Sequence, residues 1–255
     1  MLRTLLICGM IAGACAGVLG FAFAHVAGEG SVDAAIGVEQ SRAKAAGQAT
    51  EPPVVGRDTQ KGFGLLTATA VYGVALGGIF ALVFAAVYGR IGTAPPSRTA
   101  VWLAAIAFLV VFLIPFLKYP ADPPATGDPE TIQKRTLLYL TMVAASLGSA
   151  VAAVRIRALL RRAEAWRQYG ALAAVAAYAA LVGIVMLILP AVDEVPRDFP
   201  ATSLYAFRTA TVGLQLVVWT TIGLVFAFLA QRRMTAAAPA PLAAGAGASP
   251  GADRA

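Results

Sequence analysis

The chain has 255 residues, 59% of them hydrophobic and only 13% charged, with a mean hydropathy of +0.75. Soluble domains carry about 25% charged residues, so a soluble globular fold is excluded. The net charge of +7 would suggest nucleic acid in a soluble protein, but here the basic residues flank apolar runs, where membrane proteins normally keep them, and no nucleic-acid partner is expected.

Six apolar stretches, at 5–27, 66–89, 100–117, 137–154, 170–190 and 211–230, are each long enough to cross a hydrocarbon core of about 30 Å as a helix. The gaps 28–65, 118–136 and 191–210 hold eleven acidic residues and nine basic ones. Up to residue 234, the N-terminus and the other gaps hold Arg3, Arg90, Arg98, Arg155, Arg157, Arg161, Arg162, Arg167, Arg232 and Arg233, with Glu164 the one acid. The positive-inside rule puts this cationic set in the cytoplasm and the acidic gaps outside. The expected fold is an all-α polytopic membrane protein of six transmembrane helices, arranged as three helical hairpins joined on the outer side. Residues 1–234 form the membrane domain and 235–255, almost all Ala, Pro and Gly, a disordered cytoplasmic tail.

The first stretch contains Gly9, Gly13 and Gly17 at the spacing that lets helices approach closely in a bilayer. Cys8 and Cys15 share its face, about 10 Å apart along the axis, too far for a mutual disulfide. Arg3 and Ala22-Phe23-Ala24 also resemble a signal peptide with cleavage before His25, which would leave five spans. The glycine face argues for retention.

His25, the sole histidine, is followed by Glu29 and Asp33 at spacings of four. One helical face would carry all three if the helix continued, and imidazole with carboxylates suits divalent cobalt, nickel or zinc. Gly28 and Gly30 argue against continuation. The second stretch holds Gly73 and the pair Gly77-Gly78, read as a close-packing or bending point. After the third, ending at Pro115, come Lys118 and Tyr119, suited to anchor at the interface, and then Asp122.

Pro120–Thr126 and Pro196–Thr202 both read P-x-D-x-P-A-T. Each follows a span ending in proline (Pro115, Pro190) and precedes an Arg-Thr pair (Arg135-Thr136, Arg208-Thr209). This suggests an internal duplication of the kind transporters use, with Asp122 and Asp198 in equivalent places. Asp193 and Glu194 stand at the mouth after Pro190. Arg208 opens the last span as a partner for an outer carboxylate, and Gln215 lies deeper on an otherwise apolar helix. No phosphate loop, dinucleotide fingerprint or nucleophile motif is present, so no enzyme class is indicated.

Several segments together resemble the CbtA family of cobalt transporter subunits. They are Phe21–Glu29 with Val32–Glu39, Gly62-Phe63-Gly64, Tyr72–Phe84, Pro115–Pro124 with Gly127-Asp128-Pro129, Leu189–Pro196, Asp198–Thr202 and Gln215. The resemblance runs over about residues 1–230. It implies a membrane subunit for Co²⁺ uptake serving cobalamin synthesis, paired with a small single-span, histidine-bearing membrane protein. Such proteins are commonly described with five spans. On this reading His25, Glu29, Asp33, Glu39, Asp122, Asp128, Asp193, Glu194 and Asp198 are candidate metal residues, and Lys118, Tyr119, Arg208 and Gln215 line or shape the path. No resident cofactor is expected, since the metal is cargo. A non-transporting membrane scaffold that docks a partner is the alternative.

Overall fold

A computed structural model of the protein describes residues 1–47, 55–90, 92–124, 126–127, 129–163 and 168–236. No strand occurs among them, and six helices are long and apolar enough to cross a membrane. These are α1 (Leu2–Ala45), α2 (Arg57–Val87), α3 (Pro96–Lys118), α4 (Ile132–Leu160), α5 (Gly170–Ile188) and α6 (Ala201–Thr235). Asp128 and nearly all of the 235–255 tail lie outside the described residues.

α1 does not stop at the membrane surface. Its 44 residues extend about 66 Å at 1.5 Å per residue, twice the hydrocarbon thickness. Gly28 and Gly30 do not break it. The chain instead widens into a π-turn at Ala24–Gly28 and runs on to Ala45. α2 begins with a matching π-turn at Gln60–Gly64. The longest acidic gap is therefore largely a helical stalk.

α1 is the packing centre of the bundle: α2 lies along one side of it and α6 along another. Against α2 the contact is backbone on backbone. A Cβ added at Gly13 would fall on the Gly73 carbonyl, and one at Gly17 would stand 2.6 Å from Thr69 O. Gly9 and Gly77 meet in the same way, whereas Gly78 faces only the Met10 side chain, at 3.9 Å. The close approach thus uses Gly73 and Gly77, four apart on one face, and not the adjacent pair Gly77-Gly78. Without water to drive association, such van der Waals contact is what holds membrane helices together.

α6 packs between α1 and α3. The buried cluster draws on α1 (Leu5, Cys8, Ala12, Ala16), α2 (Phe80, Phe84), α3 (Ala100, Ala104) and α6 (Trp219, Ile222, Phe226). Phe226 meets Phe80 and Phe84 edge to face, with ring centroids 5.2 and 4.9 Å apart. α4 meets the C-terminal half of α3 and lies along α5. α5 is peripheral, with only Gly170 and Val182 buried. Chain order still gives three antiparallel hairpins, but the third is open: α5 leans on α4, α6 on α1 and α3, and the two barely touch.

The C-terminal half of α3 contains a π-turn, Phe108–Leu113. Its register is fixed by Ile114 N–H donating to Leu109 O. The next carbonyl in that five-residue register, Val110 O, faces Pro115, which has no N–H to give. Ser146 of α4, fully buried, donates its hydroxyl to Val110 O at 2.7 Å. With that proton committed, Tyr178 of α5 donates in turn to Ser146 Oγ at 2.8 Å. One polar chain thus ties three helices inside an apolar layer, where an orphan carbonyl would be costly.

Candidate functional site

A cavity of about 450 Å³ opens at the acidic end of the bundle. Phe112, Phe116, Tyr139, Thr136, Thr211 and Gln215 form its walls, from α3, α4 and α6. The two proline-rich loops supply Tyr119, Asp122, Val192 and Asp193. Phe112 lies in the α3 π-turn and Phe116 just after it, so the register of that turn also sets this wall. Prolines follow the ends of both α3 and α5, and the Tyr119 hydroxyl donates to Pro190 O at 2.8 Å, joining the loops. Desolvation pushes the Tyr119 phenol above its ordinary value.

Two arginines near the starts of α4 and α6, Arg135 and Arg208, are exchanged across the cavity. Arg208 donates from its Nη2 to Asp122 Oδ1 at 2.7 Å and from Nε to Ala121 O at 3.3 Å, both in the α3–α4 loop. Arg135 pairs with Glu194 of the α5–α6 loop at 3.1 Å, and Thr131 donates to the same carboxylate at 2.7 Å. Arg135 reaches this place because Gly127 has no side chain: a Cβ there would collide with the guanidinium. Asp193 lines the cavity, is exposed and, among the described residues, has no ion-pair or hydrogen-bond partner.

The motif aspartates do not share a setting. Asp122 faces the cavity and is 21% exposed. Asp198 is 71% exposed and accepts from Arg42 Nη2 at 2.7 Å and Arg42 Nε at 3.2 Å, so it holds the α1 stalk to the start of α6. What the two hairpins repeat around the cavity is the arginine, each gripping the other hairpin's loop.

The candidates on α1 form a separate group. Arg57 binds Glu29 at 2.5 Å and Asp33 at 3.1 Å, and Lys61 binds Asp33 at 2.5 Å. The hydrogen bond from Lys61, aided by that from Arg57, holds the Asp33 carboxyl below its ordinary range. His25 is exposed, stacks on Phe21 with centroids 5.6 Å apart, and donates from Nδ1 to Lys61 O at 3.3 Å, linking the two π-turns. Glu39 stands exposed on the stalk. Lys118 lies beside the Tyr119 ring, 5.8 Å from its centroid. Among the described residues no three of His, Cys, Asp and Glu converge on a point that could hold a metal ion.

Sequence reasoning named Arg208 and Gln215, noted Arg135 only as part of the repeated Arg-Thr pair, and gave no role to Arg57, Lys61 or Tyr139. A signal for Arg57, Lys61 and Arg135 was present: nine bases set among eleven acids in the three acidic gaps is the balance expected when most carboxylates are internally paired.

The family model of the probable cobalt transporter subunit (CbtA) matches residues 2–231, nearly the whole chain. The chain belongs to the CbtA family. No curated protein and no solved structure matches it. As a CbtA-family chain with six apolar helices it is a multi-pass membrane protein of a transporter-subunit family, which is not an enzyme class, and the designation subunit implies a partner.

Proposed function

We propose that this chain is the membrane subunit of a Co²⁺ uptake transporter supplying cobalamin synthesis. The acidic end faces outward and both termini are cytoplasmic, in keeping with the arginine excess at the other end. The observation that carries the reading is the cavity at the acidic end, with Asp193 at its mouth and Asp122 at its wall. Acidic outer segments raise the local cation concentration and steer Co²⁺ to this mouth. Six waters occupy about 180 Å³ at roughly 30 Å³ each, so the cavity admits the ion with its first hydration shell. Inward of Tyr139 on α4, Met142 and Ser146 are fully buried, so transit requires the helices to rearrange.

One histidine cannot build a selective cobalt site, and the ligands His25, Glu29, Asp33 and the cavity acids form two separate groups. The missing nitrogen ligands come from a small single-span, histidine-bearing membrane partner that completes the site. The pairing of Glu29, Asp33, Asp122, Glu194 and Asp198 with basic side chains is what favours the second reading, a scaffold whose outer face only docks that partner. Cobalt-57 accumulation in proteoliposomes, with and without the partner, separates the two: uptake supports the transport role, and none under either condition supports the scaffold.

A further inference from the structure

We propose that Arg208 is a tethered counter-ion that keeps monovalent cations from occupying Asp122, the second carboxylate of the outer cavity. The inference rests on the cavity being a cation vestibule, as above, and adds how that vestibule discriminates.

Two carboxylates line the cavity. Asp193 meets no partner among the described residues. Asp122 has one ion pair, to Arg208 at 2.7 Å, and the pair is partly withdrawn from water, with side chains 21% and 33% exposed. A guanidinium does not deprotonate at any physiological pH, so Asp122 is never vacant. A cation that recruits Asp122 as its second carboxylate must displace a positive charge held there at high effective concentration. A monovalent ion replaces one unit charge by another and gives up a well-aligned, charge-assisted hydrogen bond. A divalent ion attracts the same carboxylate twice as strongly, because Coulomb energy scales with charge. The arginine therefore acts as a threshold that only the higher charge passes.

The displaced guanidinium has somewhere to go. Gln215 lies seven residues further along α6, on the same face and in the same cavity, and its Oε1 is shielded from solvent with no donor among the described residues. Both side chains line the same cavity, so the unpartnered amide oxygen is an acceptor in the space a displaced guanidinium would enter. The other cavity arginine is placed differently: its carboxylate, Glu194, is also fixed by Thr131 and is not a cavity wall, so Arg135 anchors the loop while Arg208 guards the site.

The test is equilibrium binding of ⁵⁷Co²⁺ to the full-length chain in lipid nanodiscs, with K⁺ as competitor. Arg208→Gln should tighten Co²⁺ binding on the order of fivefold, the upper range for loss of a competing partly exposed pair, and should make that binding more sensitive to K⁺. Arg208→Lys, which keeps the charge, should restore resistance to K⁺. In an Asp122→Asn background the Arg208→Gln gain should vanish. If wild type binds Co²⁺ but Arg208→Gln binds it equally or more weakly while Arg208→Lys behaves as wild type, Arg208 is only a structural clamp and the proposal is overturned. If neither wild type nor any variant binds Co²⁺, the vestibule reading itself falls.

Discussion

The Ser146 hydroxyl caps the Val110 carbonyl at 2.7 Å, filling from a neighbouring helix the bond that Pro115 cannot make. Ser146→Ala would leave that carbonyl and the Tyr178 hydroxyl without partners in an apolar layer. Measured inter-helix polar contacts in membranes suggest a loss of about 1 kcal/mol, visible as a lower melting temperature in detergent. Pro115→Ala restores an N–H five residues beyond Val110. It should recover much of the loss in the Ser146→Ala background while helping little on its own. Equal effects in both backgrounds would show that the serine acts by packing alone.

Gly13 should tolerate no side chain. Its Cβ would overlap the Gly73 carbonyl of α2, and backbone cannot step aside without parting the helices. Gly13→Val should abolish recovery of monodisperse protein on size-exclusion chromatography, while Gly78→Ala, with only Met10 within 4 Å, should behave as wild type. A well-behaved Gly13→Val protein would contradict the backbone contact between α1 and α2.

The stalk should loosen in acid. The Asp33 carboxyl is held below its ordinary value of 3.8, chiefly by Lys61. A depressed folded value contributes stability that is present above pH 3.8 and lost as the pH falls below it toward the folded value. Because Asp33 is well exposed, the effect is modest and weakens in salt. Protease cleavage between residues 29 and 64 should rise below about pH 4 in wild type, and that rise should be smaller in Asp33→Asn, whose stalk is already loosened at neutral pH.

Asp193→Asn keeps the shape of the cavity mouth and removes its anion. It should weaken cobalt-57 uptake when external cobalt is scarce and much less when cobalt is abundant, since lost affinity is overcome by mass action. Wild-type uptake at limiting cobalt, at matched expression, would remove Asp193 from the site.

Single cysteines at Ser41 and Ser203, in a chain lacking Cys8 and Cys15, should react with an impermeant thiol reagent in intact cells. Arg161→Cys should not. The mature protein should retain residue 1 by mass spectrometry. Cleavage before His25 would remove the helix on which α2 and α6 pack and expose the glycine face of α2 to lipid.

The six spans, the separation of acidic from cationic ends and the small-residue face of α1 were legible in the sequence. Hydropathy, charge and helical spacing are properties of short stretches, and a bilayer reads short stretches. The partner of each charge was not legible. Asp122 and Asp198 sit in the same seven-residue motif, yet one meets Arg208 and the other Arg42, because α6 packs between α1 and α3 while α5 stays outside. The sequence also pointed to adjacent glycines in α2, where the contact uses Gly73 and Gly77, since only a docked helix selects a face. Likewise Gly28 and Gly30 suggested that α1 ends, but the helix continues through a π-turn bonded through His25 to Lys61 and braced by ion pairs to Arg57 and Lys61. In each case what decided the outcome was a contact between segments distant in the chain, and local pattern carries no record of which distant segment will arrive.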